Sequence, residues 1–152
     1  MMGNLGETKG IRAMMIIEVI GKPPEHLVET VENIIKKIDE EKGINIVEKT
    51  VYEPKKLEIK QENAQELFTT FAEIEAEFDN LEAIIMLVFN YMPSNLEIIS
   101  PESFILKNDY LSEIMTGIVI RLHKYDEIAK QTLMDKEILM KKVKELMEKE
   151  KS

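Results

Sequence analysis

The stretch that decides the fold is Leu67-Phe68-Thr69-Thr70-Phe71-Ala72-Glu73-Ile74-Glu75-Ala76-Glu77-Phe78, followed by Asp79-Asn80. Phe68, Ala72, Ile74, Ala76 and Phe78 alternate with Glu73, Glu75 and Glu77. A period of two residues predicts a β-strand with one buried and one polar face. Asp79-Asn80 then offers a side-chain cap for a helix. Leu81, Ile84, Ile85, Val88 and Phe89 form the expected apolar stripe of that helix, with Met86 and Leu87 adding apolar surface outside it. Ile84 to Tyr91 also reads as a strand.

Working outward, Pro93-Ser94-Asn95 predicts a turn and Leu96 to Ile99 a short strand. On the N-terminal side, Ile44 to Tyr52 is rich in β-branched residues and reads as another strand. Beyond it, Pro54 and the polar residues 55–66 predict a turn region, with the strand either stopping at Pro54 or continuing as an edge. A helix precedes this strand. Pro23-Pro24-Glu25 opens it, Leu27, Val31, Ile34, Ile35 and Ile38 form its stripe, and Gly43 stops it. The first strand is Ile11 to Ile20, with Ile11, Ala13, Met15, Ile17 and Val19 on the buried face.

The resulting order is β-α-β-β-α-β. It predicts an α+β, ferredoxin-like sandwich over residues 11–107: a four-stranded antiparallel sheet with both helices on one face. Residues 1–10 are expected to be a flexible leader. Residues 108–152 are expected to be a C-terminal helical extension that packs on the domain or on a partner. Asn108-Asp109 caps a third helix with Leu111, Ile114, Met115, Ile118, Val119 and Leu122 on its apolar side. From about Asp126 the chain continues helical, with Ile128, Leu139, Val143, Leu146 and Met147 as a thinner stripe.

Composition narrows the function classes. The 152 residues predict one domain, long enough to bury a core without staples. With no cysteine there is no disulfide and no thiol chemistry, and a reducing, cytoplasmic location is expected. The net charge of −9 opposes binding to phosphate backbones and to anionic membranes, so neither nucleic acid nor membrane is an expected partner. The Lys, Glu and Ile bias resembles thermophile composition. The longest apolar run, Ala83 to Phe89, is too short for a membrane span. The methionines are scattered and suit core filling or an adaptable interface.

Gly21-Lys22-Pro23-Pro24-Glu25-His26-Leu27, a helix, and then Gly43-Ile44-Asn45-Ile46 resemble the first half of an ACT domain. The resemblance covers about residues 11–53. It implies a regulatory module that pairs subunits and binds a small effector near the first loop, at Lys22, Pro24, Glu25 and His26. The loop glycine of that family is replaced here by Pro24, which has no N–H to offer a ligand.

Three functions are open to this chain. The first is a non-enzymatic interaction or oligomerisation module without cofactor, partnered by a second copy or another protein. Its contact surface would combine Met14, Ile16 and Ile20 of the sheet with Leu139, Val143 and Leu146 of the extension, since exposed apolar surface of this kind marks an interface. The second is the ACT-like sensor. The third is an enzyme holding a divalent cation on Glu18, Glu73, Glu75 and Glu77, because converging carboxylates suit hard cations. The same glutamates fit a solvated sheet face with Arg12 and Lys49 as cross-strand partners. His26 and His123, with no cysteine, make no transition-metal set.

Overall fold

The computed structural model describes residues 10–58 and 65–152. The expected leader lies outside the described residues apart from Gly10, as does the middle of the polar 55–66 stretch. The elements run β1 (Ile11–Gly21), α1 (Pro24–Glu40), β2 (Ile44–Val51), β3 (Lys55–Lys56), β4 (Phe68–Phe78), α2 (Leu81–Tyr91), β5 (Asn95–Ser100) and α3 (Asn108–Glu150). The chain divides into two units between Lys107 and Asn108.

The first unit is an α+β layer pair. Its sheet has the order β2-β4-β1-β5, all antiparallel, with β3 also on β4. The central pair, β1 and β4, is in unbroken register from Ile11 opposite Phe78 to Gly21 opposite Phe68. Four strands were expected and there are five among the described residues. Proline cannot donate to a ladder, so β2 ends before Pro54, and the chain resumes pairing at Lys55 opposite Thr69.

Even spacing puts Ile11, Ala13, Met15 and Ile17 of β1 beside Ala72, Ile74, Ala76 and Phe78 of β4, all buried. Against them pack Val31, Ile35 and Ile38 of α1 and Ala83, Ile84 and Leu87 of α2, so both helices share one face. The helix stripe of α1 falls where its spacing predicts. That of α2 does not. Leu87, expected outside the stripe, is fully buried, while Val88, expected inside it, is exposed. A segment apolar all round carries no phase in its periodicity. The phase comes from its start instead: the Asn80 side chain accepts from the Ala83 amide at 2.9 Å, fixing the first turn. The strand reading of Ile84 to Tyr91 does not hold.

Two left-handed residues shape the connections. Gly43, at φ +84°, ends the turn after α1, and its carbonyl accepts from the Asp79 amide at 2.9 Å. Met92, at φ 46°, closes α2, donating its amide to the Val88 carbonyl at 3.0 Å.

Thr70 lies on the core face of β4, fully buried, and its hydroxyl has no hydrogen-bond partner among the described residues. An unpaired buried hydroxyl costs about 1–3 kcal/mol. Thr70→Val removes the hydroxyl and keeps the branched shape, so it is expected to raise the urea midpoint by an amount worth about 1 kcal/mol. A fall in the midpoint would mean that the hydroxyl is paired in solution.

The second unit is α3 alone. A third helix and a further helical stretch from Asp126 were expected; they are one helix of 43 residues, about 65 Å long. No residue of it is buried.

Candidate functional site

The outer face of the sheet collects the residues that alternate with the core. On β1 these are Arg12, Met14, Ile16, Glu18 and Ile20; on β4 they include Phe71, Glu73, Glu75 and Glu77. Met14 and Ile16 are half-buried and Ile20 is 55% exposed. Register sets the neighbours: Arg12 lies opposite Glu77, Met14 opposite Glu75, Ile16 opposite Glu73 and Glu18 opposite Phe71.

The carboxylates proposed as a cation site do not converge. Glu18 accepts from the Thr69 hydroxyl at 3.0 Å, away from the other three. Arg12 approaches Glu75 at 3.6 Å and Glu77 at 3.7 Å, as ion pairs too long for hydrogen bonds. The negative charge of Glu73 first, then burial and the closeness of the same carboxylate, push the pKa of the Tyr52 phenol up. Among the described residues no three His, Asp or Glu side chains are gathered as a metal-ligand set. The glutamates are therefore arranged as partners of Arg12, Tyr52 and Thr69.

Lys49, expected on this face, is not there. A bulge between Ile46 and Glu48 shifts the phase of β2, so Lys49 lies opposite core-facing Ile74, while Glu48 lies opposite Glu75 and Thr50 opposite Glu73. Met14, Glu48, Thr50, Glu73 and Glu75 line a small cleft of about 140 Å³. Glu48 is the residue that strict alternation misses, because no glycine or proline at Val47 signals the bulge.

The residues of the first loop are placed by the start of α1. Pro24 is its first residue and Pro23 caps it through its carbonyl, which accepts from the His26 amide at 3.2 Å. Glu25 stands in the first turn, as the helix dipole favours. The Lys22 ammonium donates to the Gln65 side chain at 2.6 Å, across the chain rather than toward His26.

At the far end of α1, the Tyr91 hydroxyl donates to Glu41 at 2.7 Å. Burial first, then the hydrogen bond and charge of Glu41, push the Tyr91 phenol up to about 12. A phenol raised on folding stabilises the folded state below the unfolded value of 10, and that contribution is lost as pH rises toward about 12. Tyr91→Phe is therefore expected to flatten the fall of Tm between pH 10 and pH 12. Parallel curves for the two proteins would show that the phenol titrates alike in both states.

The extension residues lie on α3. Leu139 is 62% exposed, Val143 54% and Leu146 58%. Nine large apolar side chains between Ile128 and Met147 are each more than half exposed, far beyond the scattered surface leucine that needs no explanation. Leu139, Met140, Val143 and Met147 line one groove along the helix, edged by Asp135, Lys136, Lys144 and Glu148. Among the described residues no helix is long and apolar enough to cross a membrane.

The model of one protein family matches residues 12–151, from the first strand to the end of α3. The chain belongs to the MJ0538 family. The match spans both the sheet unit and the long helix, so the helix is part of what defines an MJ0538 family member. No curated protein and no solved structure matches the chain.

Proposed function

We propose that this MJ0538 family protein is a non-enzymatic self-association module: a ferredoxin-like domain of residues 11–107 carrying a helical assembly arm. The strand order with β1 and β4 central, and both short helices on one face, support the ferredoxin-like reading. The observation that carries the assembly role is α3. A helix of 43 residues that buries none of them, yet exposes a stripe including Leu139, Val143 and Leu146, gains stability only by covering that stripe. Met14, Ile16 and Ile20 supply further apolar surface on the sheet.

The partner in this reading is a second copy of the chain, in the cytoplasm. The test is solution mass by light scattering on the full chain between about 1 and 100 µM. The expected result is a mass twice the 17.6 kDa of the chain. A monomer over the whole range would overturn the reading. A Tm raised by a metabolite panel, without change of mass, would instead favour an effector site of the ACT kind near Lys22, Pro24, Glu25 and His26.

A further inference from the structure

Resting on the self-association reading, we propose that α3 pairs with α3 of a second copy as a parallel, in-register, two-stranded coiled coil with Lys136 in its core. Residues 3.5 apart on average keep one seam facing a partner helix, and a seven-residue repeat is the signature of that geometry. In α3 one such repeat runs unbroken from Leu111 to Leu146. One seam position is filled by Leu111, Ile118, Tyr125, Thr132, Leu139 and Leu146. The other, four residues on, is filled by Met115, Leu122, Ala129, Lys136 and Val143. Lys136 and Thr132 alone are polar among these eleven, and the groove beside Leu139, Met140 and Val143 belongs to the same seam.

The periodicity calls for another helix as the occupant, and the charges beside the seam favour a parallel copy. In a parallel pair each residue just before the second seam position, that of Met115 and Lys136, meets the residue five further on in the other chain. Ile114 then meets Val119, Ile128 meets Leu133, and Arg121 meets Asp126; Asp135 and Lys142 meet methionines. No pair opposes like charges. Antiparallel alignments that keep the whole seam set Asp126 against its own copy, or Arg121 against Lys142. The parallel register does bring Lys136 beside its own copy. Each lysine stem covers the seam while its ammonium reaches outward to Asp135 of the other chain. A lone seam lysine of this kind costs stability and fixes register and strand number.

The chain has no cysteine, which makes orientation directly measurable. Ser152 is exposed, two residues beyond the end of α3. The full-length Ser152→Cys variant is equilibrated in a buffer of reduced and oxidised glutathione, and its mass is measured by light scattering in the reduced state. A parallel pair brings the two thiols together, so a covalent dimer is expected to dominate over the mixed glutathione disulfide. A reduced dimer that gives chiefly the mixed disulfide overturns the parallel register and leaves self-association standing. A reduced monomer overturns both. Independently, Lys136→Leu in the full chain is expected to lower the dissociation constant at least about tenfold; weaker association would place Lys136 outside the seam and overturn the proposal.

Discussion

Phe78→Ala is expected to lower the stability of the sheet unit by about 3–5 kcal/mol, the range for emptying a large buried aromatic site. Phe78 is 1% exposed and ends β4, where it lies opposite Ile11 of β1 on one side and Ile44 of β2 on the other. Both isoleucines are buried, so the three side chains form one row across three strands. The backbone around the row is pinned. The next amide, that of Asp79, donates to the Gly43 carbonyl, and Asn80 caps α2 one residue later. With the strands fixed by their ladders and the helix start fixed by its cap, the vacated space has little means of closing. A cavity that stays open forfeits dispersion contacts as well as transfer energy. Urea unfolding followed by circular dichroism measures the change. For a domain whose total stability is about 5–15 kcal/mol, the midpoint should fall by about a fifth or more with an unchanged slope. A loss below about 1 kcal/mol would mean that the row around Phe78 repacks and is not the hub of the core. Phe78→Leu, which refills most of the volume, should recover over half of the loss.

The buried faces of the two central strands were legible in the sequence, because β1 and β4 alternate without interruption, whereas the row across Phe78 depends on the register with Ile11 and Ile44. Ile11, Ala13, Met15, Ile17, Ala72, Ile74, Ala76 and Phe78 all lie where a period of two puts them. What alternation could not supply is phase where it is locally broken or absent. The bulge at Val47 exchanges Lys49 for Glu48 on the outer face, and nothing in Ile46-Val47-Glu48 marks it. In α2 every residue from Ala83 to Phe89 is apolar, so the buried side was set by the Asn80 cap rather than by a stripe. Thr70 is polar by composition and buried by position; its side-chain chemistry pointed the wrong way. The glutamate face shows the same limit for function. Spacing placed Glu73, Glu75 and Glu77 on one side of β4 correctly, but which groups occupy them depends on the neighbouring strands. Register gives Arg12 to Glu75 and Glu77, and puts Glu18 beside Thr69 instead. The helical character of the extension was readable; its continuity as one helix agrees with the lack of any glycine or proline from Ile118 to Ser152.

Leu139→Asp combined with Leu146→Asp is expected to abolish self-association of the full chain at micromolar concentrations while leaving the sheet unit folded. The two positions are one seven-residue repeat apart, on one side of α3, and both are more than half exposed. In a monomer the new carboxylates stay in water and cost only their modest helix propensity. In an assembly covering that stripe, each copy would bury two charges without partners, which the interface cannot tolerate. The dissociation constant should rise at least about a hundredfold, near 3 kcal/mol. The core of the sheet unit is built from residues between Ile11 and Phe104, so its unfolding transition should keep its midpoint once association is absent. Charge alone must be separated from position. Met134→Asp with Lys141→Asp has the same spacing on another side of the helix, and makes the chain more negative than the first pair does. If the stripe is the contact, the first variant is a monomer by light scattering and the second a dimer. If both dissociate, general charge repulsion accounts for the loss and the stripe has no special role. If neither does, the chain assembles through another surface, and the apolar side of α3 must find a different occupant.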